Sequence, residues 1–458
     1  MSSDAAACAP GTWDAGSVRE EGRRSDDVMD AARGCSPGAL KRPAELTTPG
    51  TATRPPDEAA ACDVATDPVA AHKPQFDGAG PGSGRPGREV DVGSTKKRLR
   101  ASPAGARPTQ RARGASTVTA RWERLAPAGS APAGRWGAAA CAIEGGVVLL
   151  GGASAREENM PDMWELGWDG RRWAWSEKEG LDRGGRAWHS LFHCTSPEGP
   201  QLMTYGGERA GTAHEGQEQG ECQVLPDVGV YDMDAELWYY PPFRGPEGDA
   251  LPARLGHSTA VTDDGRVLVW GGIDGGDGKF KNDMFFFNPT TLSWQRPAKG
   301  ELRGAPPKPR AYHSCTVVGR RAVVMGGTGV RTWSMREVYS YDLDTQKWTE
   351  HTGRVEGEAP AQRHGHAAAA VGSDKVVVFG GMCADPEEYF GDLALLDTAS
   401  WTWRTVPVEG EAPSPRAGHN LVPVETVEGG AAFVMFGGRL ADDTVCNDAW
   451  LLRLEGAE

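Results

Sequence analysis

Arg363-His364-Gly365-His366-Ala367-Ala368-Ala369-Ala370-Val371, then Gly372-Ser373-Asp374, then Lys375-Val376-Val377-Val378-Phe379-Gly380-Gly381, is the stretch whose reading decides the fold. Ala367 to Val371 reads as a short strand, and Ser373-Asp374 as a turn. Val376 to Phe379 is apolar at every position, as a strand buried on both faces must be. Gly380-Gly381 ends it where backbone has to turn sharply or pass close to a neighbour. A loop leads to Asp392, a third strand follows at 393–396, and Asp397 to Ser400 turns the chain into a fourth at 403–406. Four short strands joined by tight turns make one small antiparallel sheet.

The same pattern is written six times. Its Gly pairs fall at 151-152, 206-207, 271-272, 326-327, 380-381 and 437-438, at intervals of 55, 65, 55, 54 and 57 residues. A Trp recurs at 173, 238, 294, 348 and 403, where it can fill the wedge between adjacent sheets. Self-similarity at a period near 50 predicts sheets repeated around an axis.

Arg-x-Gly-His, the apolar run into Gly-Gly and Asn-Asp before an aromatic strand (Asn282-Asp283, Asn447-Asp448) resemble the kelch repeat. The resemblance covers residues 116–458 and implies an all-β, six-bladed kelch-type β-propeller of the galactose oxidase/kelch superfamily. The first copy departs from it, with Arg135-Trp136-Gly137-Ala138 lacking the His. The second and fourth carry Arg186-Ala187-Trp188-His189 and Arg310-Ala311-Tyr312-His313, with an aromatic in place of Gly. The sixth copy ends at its third strand, without a fourth or a final Trp. Trp122 lies 13 residues before Arg135, as Trp173 does before Arg186 and Trp403 before Arg416. An N-terminal strand around Trp122 is therefore expected to complete the last blade and leave only protected edges.

Residues 1–115 hold two of the chain's 35 aromatics and are rich in Ala, Gly, Pro, Ser and charge, which predicts a disordered tail. Its basic segment, 96–113, includes Lys96-Lys97-Arg98-Leu99-Arg100, in which Lys96, Lys97, Arg98 and Arg100 form a candidate nuclear-import signal. From 92 to 122 there are eight basic residues and no acidic one. Nucleus, cytoplasm or both are the expected locations. The tail counts 17 basic and 15 acidic residues, so residues 116–458 carry −16 of the chain's −14. Such a charge repels phosphate backbones, and direct nucleic-acid binding by the propeller is not expected. Nine scattered Cys without a Cys-x-x-Cys pair point to reduced thiols rather than a disulfide framework. No 18-residue apolar run occurs, so no membrane association is expected.

In such blades the loop after Gly-Gly and the blade-to-blade connection share one end. The tight turns share the other, and long loops on a rigid scaffold are where binding is expected. From Gly-Gly to the acidic residue is 10 or 11 residues in five copies and 20 in the second, where 208–226 is an insertion. Arg135, Arg186, Arg254, Arg310, Arg363 and Arg416 open the innermost strands at this end. In kelch proteins that capture acidic peptides, arginines of this end bind carboxylates, a geometry that suits the Arg fork. A residue present in every blade serves equally well to hold blades together. Arg156, Arg209, Arg331, Arg336 and Arg439 follow Gly-Gly in single blades only, and Trp188 and Tyr312 share strand parity with the Arg two residues before them.

No Gly-x-Ser-x-Gly elbow is present, and Asp274-Gly-Gly-Asp277-Gly-Lys-Phe-Lys-Asn-Asp283 fits neither an EF-hand nor a Walker loop. His189, His193, His364 and His366 resemble ligands but lie in repeat strands, where hydrogen-bonded histidines are common. The expected function is a non-enzymatic scaffold or adaptor without cofactor. It would bind a protein or peptide partner, acidic or carboxylate-bearing, through the long-loop face. A substrate receptor of a ubiquitin ligase and a channel-site enzyme or small-ligand propeller stand as alternatives.

Overall fold

The computed structural model describes residues 118–458 apart from 197–198, 210–221, 299, 427–428 and 458. The proposed tail, with Lys96, Lys97, Arg98 and Arg100, lies outside the described residues, as does most of the 208–226 insertion.

Six antiparallel four-stranded units surround an axis, the innermost strand of each coming first in sequence. Blade 1 is Ala139–Ile143, Gly146–Leu150, Met163–Trp168 and Trp173–Lys178. Blade 5 is Ala367–Val371, Lys375–Phe379, Leu393–Asp397 and Thr402–Thr405. The innermost strands of blades 2, 3 and 4 are Ser190–Ser196, Ser258–Val261 and Ser314–Val318. No α-helix occurs among the described residues, none is long and apolar enough to cross a membrane, and the one 3-10 turn is Pro246–Gly248.

Closure follows the Trp spacing. Blade 6 consists of Asn420–Val424, Ala431–Phe436 and Ala449–Glu455, and its outer strand is Thr119–Arg124. Trp122 stands opposite Leu452 and packs its ring 4.9 Å from Phe379 of blade 5. Short parallel strands, Glu356–Gly357 and Val408–Glu409, cover the outer edges of blades 5 and 6. Sequence periodicity gave no sign of them.

The core lies between blades rather than within them. In the second strand of blade 5, Val376 and Val378 join Trp403 in packing against Val323, Met325 and Val338 of blade 4. Val377 and Phe379 pack with Phe433, Met435 and Leu452 of blade 6. Both faces being covered is why the strand is uniformly apolar.

The Gly pairs sit where blades meet. Gly151 and Gly152 have φ of 63° and 96°. A Cβ on Gly151 would stand 2.5 Å from the Arg186 carbonyl and 2.8 Å from His189 Cε1 of the next blade. Only glycine fits both the backbone conformation and the space.

Candidate functional site

The six repeat arginines are buried, with 0–1% exposure. Each guanidinium meets the acidic residue that opens the third strand of its own blade. The pairs are Arg135–Asp162 (2.7 Å), Arg186–Asp227 (3.3 Å), Arg254–Asp283 (2.8 Å), Arg310–Glu337 (3.8 Å), Arg363–Asp392 (2.8 Å) and Arg416–Asp448 (2.6 Å). Arg135, Arg186, Arg310, Arg363 and Arg416 also donate to the carbonyl of the first Gly of the pair. One side chain thus ties three strands of one blade. Burial disfavours the Asp162 and Asp448 carboxylates, but hydrogen bonds and charge from Arg135 and Arg416 outweigh it, and both sit below the ordinary range. Arg135, Arg186, Arg254, Arg310, Arg363 and Arg416 therefore present no guanidinium to a ligand, and the binding expectation does not carry over to them. Their side-chain partners are internal to each blade, but their carbonyls join blade to blade: each accepts the amide of the second Gly of the preceding blade, as Arg186 does from Gly152 at 2.9 Å and Arg135 from Gly438 at 2.9 Å.

Three histidines add side-chain hydrogen bonds between blades. Ser190 Oγ lies 2.6 Å from His257 Nε2, Ser258 Oγ 2.7 Å from His313 Nε2, and Ser314 Oγ 2.9 Å from His366 Nε2. At the remaining His junctions the serine is replaced by Ala139 and Ala367. There Nε2 of His189 and of His419 has no hydrogen-bond partner among the described residues. Burial holds all five rings below the usual histidine range, His257 and His419 at about 3. All five are held neutral, and His257, His313 and His366 bridge adjacent blades. Among the described residues no group of three or more His, Cys, Asp or Glu is placed to hold a metal. In the 274–283 loop, Asp274 pairs with Arg254 and Asp277 with Lys281.

Two residues beyond each repeat Arg, the backbone closes a ring around the axis. The amide of Gly137 donates to Gly418, Gly418 to Gly365, Gly365 to Tyr312, Tyr312 to Gly256, Gly256 to Trp188 and Trp188 to Gly137, at 2.7–3.0 Å. All six have positive φ, including Trp188 at 56° and Tyr312 at 55°. A left-handed conformation costs a non-glycine residue roughly 1–2 kcal/mol, yet two blades place a large aromatic there. Their rings meet edge to face at 4.7 Å, and Trp188 meets Trp136 at 5.2 Å. Arg439 lies over Trp136, 4.9 Å from the ring centre. Trp136, Trp188 and Tyr312, all half-buried, thus form a continuous aromatic floor at the axial mouth. Beneath it is a cavity of about 110 Å³ lined by the ring and five histidines.

The blade-specific arginines divide. Arg439 pairs with Asp443 at 2.5 Å and with Glu157 at 3.5 Å. Arg209 is half-buried beside Gly184. Arg156, Arg331 and Arg336 are exposed and make no ion pair among the described residues. Arg331 and Arg336 share with Val330 and Trp333, each 67% exposed, the blade 4 loop whose Thr328 pairs with Ala311 beside Tyr312. Trp136 and Trp333 are the functional candidates the repeat pattern missed. Trp136 stood in the copy that departs from the motif, and Trp333 in a loop of ordinary length.

A six-bladed ring of Arg-Gly-His strands, Gly-Gly corners and inter-blade Trp residues defines a kelch-type propeller. The profile described as "KLHDC2/KLHL20/DRC7 Kelch-repeats domain" matches residues 192–438, and the chain belongs to this kelch-repeat family. It is 27% identical to human Kelch domain-containing protein 1 across 57% of this chain and 65% of that protein. Adagio-like protein 3 of rice is 27% identical over 72% of this chain and 50% of its own length. The chain thus spans between half and two-thirds of these relatives. The solved structure of YjhT superposes with a TM-score of 0.53 at 17% identity, over 72% of this chain and 99% of that one, which shows the fold alone.

Proposed function

We propose that this propeller is a binding scaffold that holds a partner peptide or protein at its long-loop end, without catalysing a reaction. The observation that carries the reading is the pair Trp188 and Tyr312. Glycine stands at their position in four blades, and these two replace it at a conformational cost to floor the axial mouth. Rigid aromatics in a shallow basin suit side-chain or peptide-plane stacking. Exposed Arg331 and Arg336, in the loop next to Tyr312, suit a carboxylate on the same partner. The propeller's −16 opposes an acidic partner at long range, so this attraction acts locally and weakens only modestly with salt.

Trp188→Gly and Tyr312→Gly restore the residue the other blades carry, so the double variant is expected to fold. Partners recovered from lysate by the full chain should be lost with it and retained with Arg171→Ala/Arg172→Ala in the opposite turns. Loss confined to the turn variant would place binding at the other end.

A further inference from the structure

A second cavity lies at the end opposite the aromatic floor. It measures about 750 Å³ and opens between the tight turns of blades 6 and 1, reaching His193 of blade 2. Trp168 and Trp173 form one wall, their rings 5.3 Å apart and Trp168 37% exposed. Glu144 and Glu425 stand at its rim, both exposed and without an ion pair among the described residues. It shares Ala142, His193 and Pro423 with an axial cavity of about 380 Å³. Indole faces beside unpaired carboxylates favour a planar cation: a guanidinium stacks on the one and donates in a fork to the other.

The chain's own sequence contains such cations. Thr119 pairs with Glu455, where the third strand of blade 6 finishes, so the described chain starts at the tight-turn end of that blade. Arg107, Arg111 and Arg113 lie just upstream, in a stretch with no acidic residue from 92 to 122. From the outer to the innermost strand of a blade is roughly 14 Å, three strand spacings. The five residues from 113 to 118 span up to roughly 17 Å when extended, which brings Arg113 and Arg111 within reach. The propeller's −16 adds a favourable field for this +3 segment.

We propose that the tight-turn end is a second binding site, selective for arginine side chains, and that its occupant is the chain's own segment carrying Arg107, Arg111 and Arg113. The site rests on observations independent of the aromatic floor.

The experiment is timed trypsin cleavage of the full chain, with cuts after Arg111 and Arg113 measured against the cut after Arg24. Docking slows the first two. In Glu144→Gln/Glu425→Gln/Trp168→Ala they should quicken at least about fivefold relative to Arg24, because cleavage follows the undocked population. Raising salt on the wild-type chain should move the same ratio in the same direction, which keeps the test open if the triple variant unfolds. Unchanged ratios in a folded variant, or in salt, overturn the proposal. Protection that grows with protein concentration would assign the segment to a second copy, and also overturns it.

Discussion

Ser258→Ala isolates one blade-to-blade bridge. Ser258 and His313 are 9% and 7% exposed, and Oγ and Nε2 are 2.7 Å apart. Removing the hydroxyl leaves a buried ring nitrogen unsatisfied, at about 1–3 kcal/mol. Unfolding entropy of about 2.1 cal/mol/K per residue, over roughly 340 residues, makes each kcal/mol worth roughly 1.4 °C. Tm should therefore fall by roughly 1.5–4 °C. The repeat provides the reverse experiment. Ala139→Ser and Ala367→Ser place a hydroxyl where His189 and His419 lack a partner. Each should gain about 0.5–1.5 kcal/mol, or roughly 1–2 °C. Calorimetry at pH 7.5, supported by urea midpoints at constant m, reads both signs. A neutral Ser258→Ala together with destabilising Ala139→Ser would refute the view that these hydrogen bonds fasten adjacent blades.

Acid should loosen the same contacts. The five buried histidines are neutral when folded and take up a proton when unfolded, so stability is complete above about pH 7. It is lost as pH falls from about 6.5 towards about 3, the folded value of His257 and His419, with a limiting slope per ring of about 1.4 kcal/mol per pH unit. A urea midpoint unchanged between pH 7 and 5 would contradict it. Deleting residues 1–115 should leave Tm almost unchanged. Deleting 1–130 removes the outer strand of blade 6 and buried Trp122 and should cost at least about 3–5 kcal/mol, so equal melting of the two truncations is the adverse result. Replacing Lys97, Arg98 and Arg100 by Ala in a fluorescent fusion should move it from nucleus towards cytoplasm, and an unaltered distribution would remove the import reading.

The ring of blades and its closing strand were legible because they leave period and spacing in the chain. Gly380-Gly381 ends a strand visibly, and Trp122 announces blade 6 by standing 13 residues before Arg135. The role of the arginines was not legible in the same way. Arg135 finds Asp162 only after 27 residues, and Arg186 finds Asp227 after 41, so no local motif joins them. The acidic residue that recurs after every Gly pair was the available signal. Trp136 reads as a lapse in the repeat until its contacts with Trp188 and Arg439 are seen. The cavity at the tight-turn end has no motif: it exists because Ala142, Gly145 and Gly146 leave room beside Trp168.

The six-membered hoop of amides joining Gly137, Trp188, Gly256, Tyr312, Gly365 and Gly418 also acts as a partition. The Trp188 ring lies against Gly137 and Gly418 and the Tyr312 ring against Gly256, so two aromatic rings cover it. The two ends of the propeller are therefore separate rooms with different furnishing, one aromatic and flanked by arginine, the other tryptophan-walled and rimmed by carboxylate. A molecule held in one neither competes for space with, nor drains into, the other. Any influence between them has to travel through the blades themselves.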